Sequence, residues 1–76
     1  MEDDQNMEDL YYTLVKITAE LTNAGYNAMQ IGAVMTRVAL QIYKTTLSDH
    51  DYHKMVDFIN QSRDDIEKFS LDIPLQ

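Results

Sequence analysis

Two histidines and an aspartate are spaced so that they could hold a metal ion. His50, His53 and Asp57 are separated by three and four residues, so in a helix they would lie within one side. Imidazole and carboxylate groups at this spacing can bind zinc or nickel. A strong site needs a further ligand that the sequence does not supply, and the same residues also fit a solvated polar face. We therefore predict no metal site and no cofactor.

Catalytic chemistry has little support in the sequence. Ser48 and His50 are close together, but Ser48 stands at the start of a helical pattern and fits the role of an N-cap. The chain contains no cysteine, which excludes a thiol nucleophile, a disulfide and a cysteine-based zinc site. Its acidic pairs fall on faces that we predict to be solvated. We predict that the protein is not an enzyme and has no catalytic residue.

Acidic residues form two clusters in a chain whose formal net charge is −7. Such a surface repels nucleic acid and anionic membranes, so we predict direct binding to neither. The clusters either provide solubility and complement helix dipoles, or imitate the phosphates that a nucleic-acid-binding protein recognises. One cluster comprises Glu2, Asp3, Asp4, Glu8 and Asp9, and the other comprises Asp64, Asp65 and Glu67.

Three helices are predicted to position these residues, and the central stretch of the chain gives the first of them. Residues 25–44 read GYNAMQIGAVMTRVALQIYK, which is apolar enough to raise the question of a membrane span. Arg37 near its centre would cost about 2.5–3.5 kcal/mol on insertion, and the apolar period is near 3.6 rather than 2. Asn27 fits the N-cap of a helix, with Gln30 at its third position. We predict a helix over 28–45 with a wide apolar face of Ile31, Val34, Met35, Val38 and Ile42.

The first helix is predicted over residues 7–23. Asn6 and Asp9 have the spacing of a capping box, and Asn23 with Gly25 supplies the stop. Apolar residues then alternate at spacings of three and four, which is an a/d stripe along one face. The stripe comprises Met7, Leu10, Leu14, Ile17 and Leu21.

The third helix is predicted over residues 49–69. Ser48 and Asp51 form its capping box, and Pro74 disfavours helix at the preceding residue. Its apolar stripe comprises Tyr52, Met55, Ile59, Ile66 and Phe69. The fold class is therefore an all-α antiparallel three-helix bundle-like domain over residues 1–76, with an acidic arm at 1–5 and an extended tail at 70–76.

A chain of 76 residues has little surface with which to bury apolar groups on several sides of its helices. No disulfide or metal compensates for this, so we predict a homodimer. Arg63 is predicted to lie near the contact between the two chains. There it either extends past apolar neighbours or forms a charge-assisted pair. The predicted interface residues are Tyr43, Tyr52, Phe58, Arg63 and Phe69.

The stretch YKTTLSDHDYHKMVDFINQSRDDIEKF, residues 43–69, resembles short uncharacterised proteins encoded by T4-like phages of marine cyanobacteria. The shared pattern is a helix ending in Tyr-Lys-Thr, a Leu-Ser-Asp cap, and then Met-Val-Asp and Ser-Arg-Asp. The resemblance implies a viral protein made inside a bacterial host. It transfers no catalytic or binding residue.

The function predicted from these features is that of a small, non-enzymatic protein-interaction module that self-associates. The resemblance implies a phage-encoded modulator of an unknown host protein. The alternative is an acidic nucleic-acid mimic that inhibits a DNA- or RNA-binding protein. The N-terminal residues lack the basic start and apolar run of a secretory signal, so we expect a cytoplasmic location, in the host cell if the protein is viral.

Overall fold

The computed structural model describes residues 2–69, which form three α-helices and one short 3-10 helix. Helix α1 is Glu2–Asn23, α2 is Ala28–Thr46, α3 is Asp49–Gln61, and the 3-10 helix is Arg63–Asp65. No strand occurs between residues 2 and 69. The all-α, three-helix class is confirmed, and the central stretch is helical as predicted. Residue 1 and residues 70–76, which include the predicted extended tail, lie outside the described residues.

Helix α1 begins at Glu2, five residues before the predicted start. The predicted capping box at Asn6 is wrong, because Asn6 lies inside the helix. No Gly or Pro precedes Gly25 in the chain, so nothing at residues 2–6 breaks a helix that already propagates from the apolar segment.

The turn between α1 and α2 is a Schellman motif centred on Gly25. The Gly25 N–H donates to the Thr22 carbonyl at 3.0 Å, and the Tyr26 N–H donates to the Leu21 carbonyl at 3.1 Å. Gly25 has a φ of 100°, which side chains with a Cβ rarely adopt. The predicted stop for the first helix is confirmed.

The N-caps predicted for the second and third helices are both present. Asn27 Oδ1 accepts a hydrogen bond from the Gln30 N–H at 3.2 Å. Ser48 has extended backbone angles, and its Oγ accepts a hydrogen bond from the Asp51 N–H at 3.1 Å. Each cap satisfies a backbone donor that the first turn of a helix leaves unpaired, a contribution of about 1 kcal/mol.

Helix α3 ends at Gln61, so its predicted extension to residue 69 is wrong. The Ser62 N–H donates to the carbonyls of Phe58 and Ile59 at 3.0 and 3.2 Å, and the Ser62 Oγ donates to the Phe58 carbonyl at 2.9 Å. The last turn contains no basic residue, and Asp64 and Asp65 follow after Ser62 and Arg63. Negative charge at a helix C-terminus opposes the helix dipole. The helix therefore ends although apolar residues continue at helical spacing.

The helices divide into two compact units, each described by itself. The first contains α1 and the first turn of α2 through Ile31, and the second begins at Gly32. In the first unit, Val15, Thr18 and Ile31 are buried, with 7%, 9% and 8% of their surface exposed. Among residues 32–69 no side chain is buried to that degree. The half-buried side chains there include Leu40, Tyr43, Leu47, Tyr52, Met55 and Val56.

Within residues 2–69, no helix combines sufficient length with sufficient apolar character to cross a bilayer.

Candidate protein interface

The face of α1 that the chain buries is not the face that carries the heptad pattern. Val15 and Thr18 are buried, and Ala19 and Thr22 are half-buried beside them. Their spacing of three, four and seven residues marks one side of a helix. The buried Thr18 hydroxyl donates to the Leu14 carbonyl at 2.8 Å, so its own helix satisfies this polar group and allows its burial.

The predicted a/d stripe of α1 is largely exposed. At roughly 100° per residue, it lies about a third of a turn around the helix from the buried face. We use the term α1 stripe for its four exposed members, while Leu21 is half-buried. The exposed members are Met7 at 70%, Leu10 at 57%, Leu14 at 47% and Ile17 at 40%. This surface has the spacing that pairs helices but no cover in the single chain.

A second exposed apolar surface lies on α2, within the second unit. Val34, Val38 and Ile42 are 61%, 47% and 55% exposed, and we call them the α2 row. They are four residues apart, so they form one of the ridges that helices use when they pack against each other. The sequence predicted this apolar face, and the structure leaves these three positions open.

A groove of about 410 Å³ lies between α2 and α3 in the second unit. The Lys44 Nζ lies 4.8 Å from the centroid of the Tyr52 ring, a cation–π contact that links the two helices. Arg37 lies on the same side of α2 as Lys44, two turns away, so both cations border a mainly apolar floor. The groove is lined by Ala33, Thr36, Arg37, Leu40, Gln41, Lys44 and Tyr52.

The five predicted interface residues all lie in the second unit, but they do not share one element. Tyr43 on α2 and Tyr52 on α3 are half-buried, and Tyr52 also lines the groove. Phe58 on α3 is 64% exposed, and Phe69 at the end of the described residues is 40% exposed. Arg63 lies in the 3-10 helix. Their role in an interface stays a prediction.

Arg63 does not project from a third helix as predicted, because α3 ends before it. Its side chain is 80% exposed, and its Nε lies 3.9 Å from Asp64 Oδ1. The Asp64 side chain is 91% exposed. An exposed pair of this kind contributes little to stability. The second acidic cluster, Asp64, Asp65 and Glu67, is exposed throughout.

The residues considered for chemistry lie at the exposed start and middle of α3. His50, His53 and Asp57 are all exposed, and the His53 ring lies 5.8 Å from the Tyr52 ring. Among the described residues, no group of three or more histidine, aspartate or glutamate side chains could hold a metal ion. Ser48 Oγ is engaged as the N-cap of α3.

Charge is distributed unevenly between the helices. Helix α1 contains six acidic residues and one basic residue, Lys16. Helix α2 contains two basic residues, Arg37 and Lys44, and no acidic residue. In a chain of net charge −7, α2 is therefore a locally cationic surface that carries exposed apolar groups.

Comparison with protein-family models, with curated proteins and with solved structures finds no match for the chain. The resemblance of residues 43–69 to cyanophage proteins therefore stays a prediction.

Sequence reasoning missed two features of these surfaces. It gave Arg37 and Lys44 no binding role, although they border the groove beside Tyr52. It also placed no residue of the α1 stripe among the predicted interface residues. The sign of the charge on each helix, counted separately, was the signal that could have identified α2 as an unusual surface.

Proposed function

We propose that this protein is a non-enzymatic interaction module that self-associates as a homodimer through helix faces that the single chain leaves exposed. One observation carries the proposal. Among residues 5–69, fifteen large hydrophobic side chains are exposed, whereas only two hydrophobic side chains are buried.

The physical basis of the proposal is the balance between apolar burial and chain entropy. A small domain is stable only if burial of apolar surface offsets the entropy lost on ordering, and chains of this length have little margin. Leaving Met7, Leu10 and Leu14 in water forgoes that contribution. Contiguous apolar patches on soluble monomers usually mark interaction sites. A second copy supplies a matching surface without any additional partner.

The exposed surfaces have the form of a helix-packing interface. The α1 stripe extends along roughly 15 Å of helix at a rise of about 1.5 Å per residue. Its alternating spacing of three and four residues suits knobs-into-holes packing. The α2 row adds a second ridge. Two such contacts, one from each chain, can approach the roughly 1,600 Å² that stable protein interfaces bury.

Light scattering at micromolar concentration tests the proposal directly. We expect about twice the chain mass, and we expect the melting temperature to fall on dilution, because dissociation is coupled to unfolding in such a dimer. A monomer at that concentration, with a cooperative melt that does not shift on dilution, would overturn the dimer.

The second candidate function is mimicry of nucleic acid, and the exposure of Asp64 favours it. Partner binding driven by such charges weakens steeply with salt, whereas apolar self-association does not. We expect Asp64→Asn, Asp65→Asn and Glu67→Gln together to weaken capture of a basic partner from bacterial lysate and to flatten its salt dependence.

The matched control for this experiment neutralises three exposed acidic groups outside both clusters, Asp49→Asn, Asp51→Asn and Asp57→Asn. This variant has the same net charge but keeps the second cluster, so it should retain more of the captured partner. If the two variants capture equally, the second cluster contributes only to solubility and mimicry at this site is wrong.

A further inference from the structure

We infer that the two chains of the dimer meet through α1, whose exposed stripe packs antiparallel on the same stripe of a second copy. This inference rests on the proposed function, because it names the surface through which the copies associate. All residues of the contact lie in the first unit. The occupant of the α1 stripe is the identical stripe of a second copy, related to it by a two-fold axis.

Helix geometry favours the α1 stripe over the α2 row for a contact with a copy of itself. Residues four apart are offset by roughly 40° around a helix, so the α2 row turns by roughly 80° from Val34 to Ile42. Alternating steps of three and four drift by only about 20° in seven residues. The α1 stripe, with four members from Met7 to Ile17, therefore keeps one face toward a partner helix over its whole length.

The acidic residues of α1 do not oppose this contact, although the helix contains six of them. Glu8 and Asp9 lie roughly 120–140° around the helix from the centre of the stripe, and Lys16 lies on the same far side. Glu20 lies at roughly 100°, on one flank. Between residues 6 and 18, the face that meets the second copy therefore carries no charged side chain.

The uncharged residues that flank the stripe can also border an apolar contact. On one flank, the Thr13 hydroxyl donates to the Asp9 carbonyl at 2.8 Å, so it needs no partner from the second copy. On the other flank, Tyr11 is 51% exposed. Tyrosine combines a large apolar ring with a hydroxyl that can stay in water at the edge of an interface. Neither flank therefore buries an unpaired polar group when the stripe is covered.

Charge sets the direction in which the two helices run. In a parallel pair, Glu8 and Asp9 of each chain would lie beside the same residues of the other. Like charges held side by side oppose association, and the two helix dipoles would also point the same way. In an antiparallel pair, Asp9 lies close to the level of Lys16 of the second copy, on the same side of the contact. The antiparallel direction therefore replaces a like-charge neighbour with an opposite one.

The spacing of the stripe then determines which residues meet. With the two-fold axis at the level of residue 12, Met7 faces Ile17 of the second copy. Leu10 faces Leu14 in the same way, and each contact forms twice. A shift by seven residues would use Leu21, which is already half-buried in the single chain. That shift would also leave Met7, the most exposed member of the stripe, in water.

Cysteine crosslinking tests this arrangement, because the natural chain contains no cysteine. The variants are Met7→Cys and Ile17→Cys, at exposed positions that are roughly 15 Å apart along α1. A short bis-maleimide should crosslink an equimolar mixture of the two into a heterodimer and should crosslink neither variant alone. Tyr12→Cys is the control, because it lies at the level of the axis but on the opposite side of the helix, and it should stay uncrosslinked.

A charge substitution tests the same register without a crosslink. Asn6 lies on the flank of the stripe at the level of Glu20 of the second copy, and this pairing occurs twice. Asn6→Lys should tighten the dimer about threefold, and Asn6→Glu should weaken it about threefold. Gln5→Lys makes the same change in net charge on the far side of the helix, so its dissociation constant should match that of the unmodified chain. A loss of folding cannot produce the tighter dimer.

The outcomes separate this inference from the proposed function, which light scattering of the unmodified chain tests. If that chain is a dimer and Met7→Cys alone is crosslinked, the helices run parallel, and the inference is wrong while the proposed function stands. If the mixture stays uncrosslinked and Asn6→Lys does not tighten the dimer, another surface forms the contact, with the same consequence. A monomeric unmodified chain overturns both.

Discussion

Leu14→Glu should weaken the dimer by at least about 100-fold, whereas Tyr12→Glu should leave its dissociation constant nearly unchanged. Both residues lie on α1 and have similar exposure in the single chain, 47% and 53%. Two positions rotate the helix by roughly 200°, so only Leu14 belongs to the α1 stripe. A carboxylate placed in an apolar contact must be desolvated without a partner, and in a two-fold dimer this cost arises twice.

The measurement is sedimentation equilibrium over a range of concentrations from nanomolar to high micromolar. Circular dichroism of each variant should show that α1 remains helical, since Leu14 is not part of the buried core of the first unit. Equal dissociation constants for the two variants would show that the α1 stripe is not an interface.

Ile31→Ala should destabilise the chain by about 2–4 kcal/mol, the usual cost of removing a large aliphatic group from a buried position. Ile31 is one of only two hydrophobic residues buried among residues 5–69, so the described chain offers little other core to compensate. A domain of this size has few kcal/mol of total stability. We therefore expect most of the Ile31→Ala protein to be unfolded at 37 °C.

Met29→Ala is the matched control for this substitution. Met29 lies two residues earlier on α2 and is 84% exposed, so its truncation should change stability by less than about 0.5 kcal/mol. Urea unfolding at one fixed protein concentration compares the two, because stability coupled to dimerisation depends on concentration. Similar midpoints for the two variants would contradict the assignment of Ile31 to the core.

The helix boundaries that were predicted correctly are those set by a local hydrogen bond. Asn27 and Ser48 cap their helices through side-chain oxygens that accept from the backbone three residues later. Gly25 ends α1 through its positive φ. Such signals act over a few residues of one chain segment, so they can be recognised without knowledge of the remaining fold.

Two helix boundaries were predicted wrongly. At one, helical spacing of apolar residues was assumed to continue the helix. At the other, a capping pattern was assumed to mark the start of a helix. Ile66 and Phe69 continue the period of α3, yet the helix ends at Gln61. The serine at position 62 and the acidic residues after it decide that end. At the other terminus, the capping pattern at Asn6 marks no boundary, because the helix has already started at Glu2.

The residue pattern alone predicts an all-α chain, the positions of its two turns, and more apolar helix surface than one short chain can bury. Which of these surfaces are covered is known only from the way the helices pack. Val15 and Thr18 are buried while Leu10 and Leu14 are exposed, although a heptad pattern favours the reverse. The reason is that periodicity states only which residues share a face. Which face is buried depends on which neighbouring helix surfaces are within reach, and a short chain has too few of them to cover every apolar face.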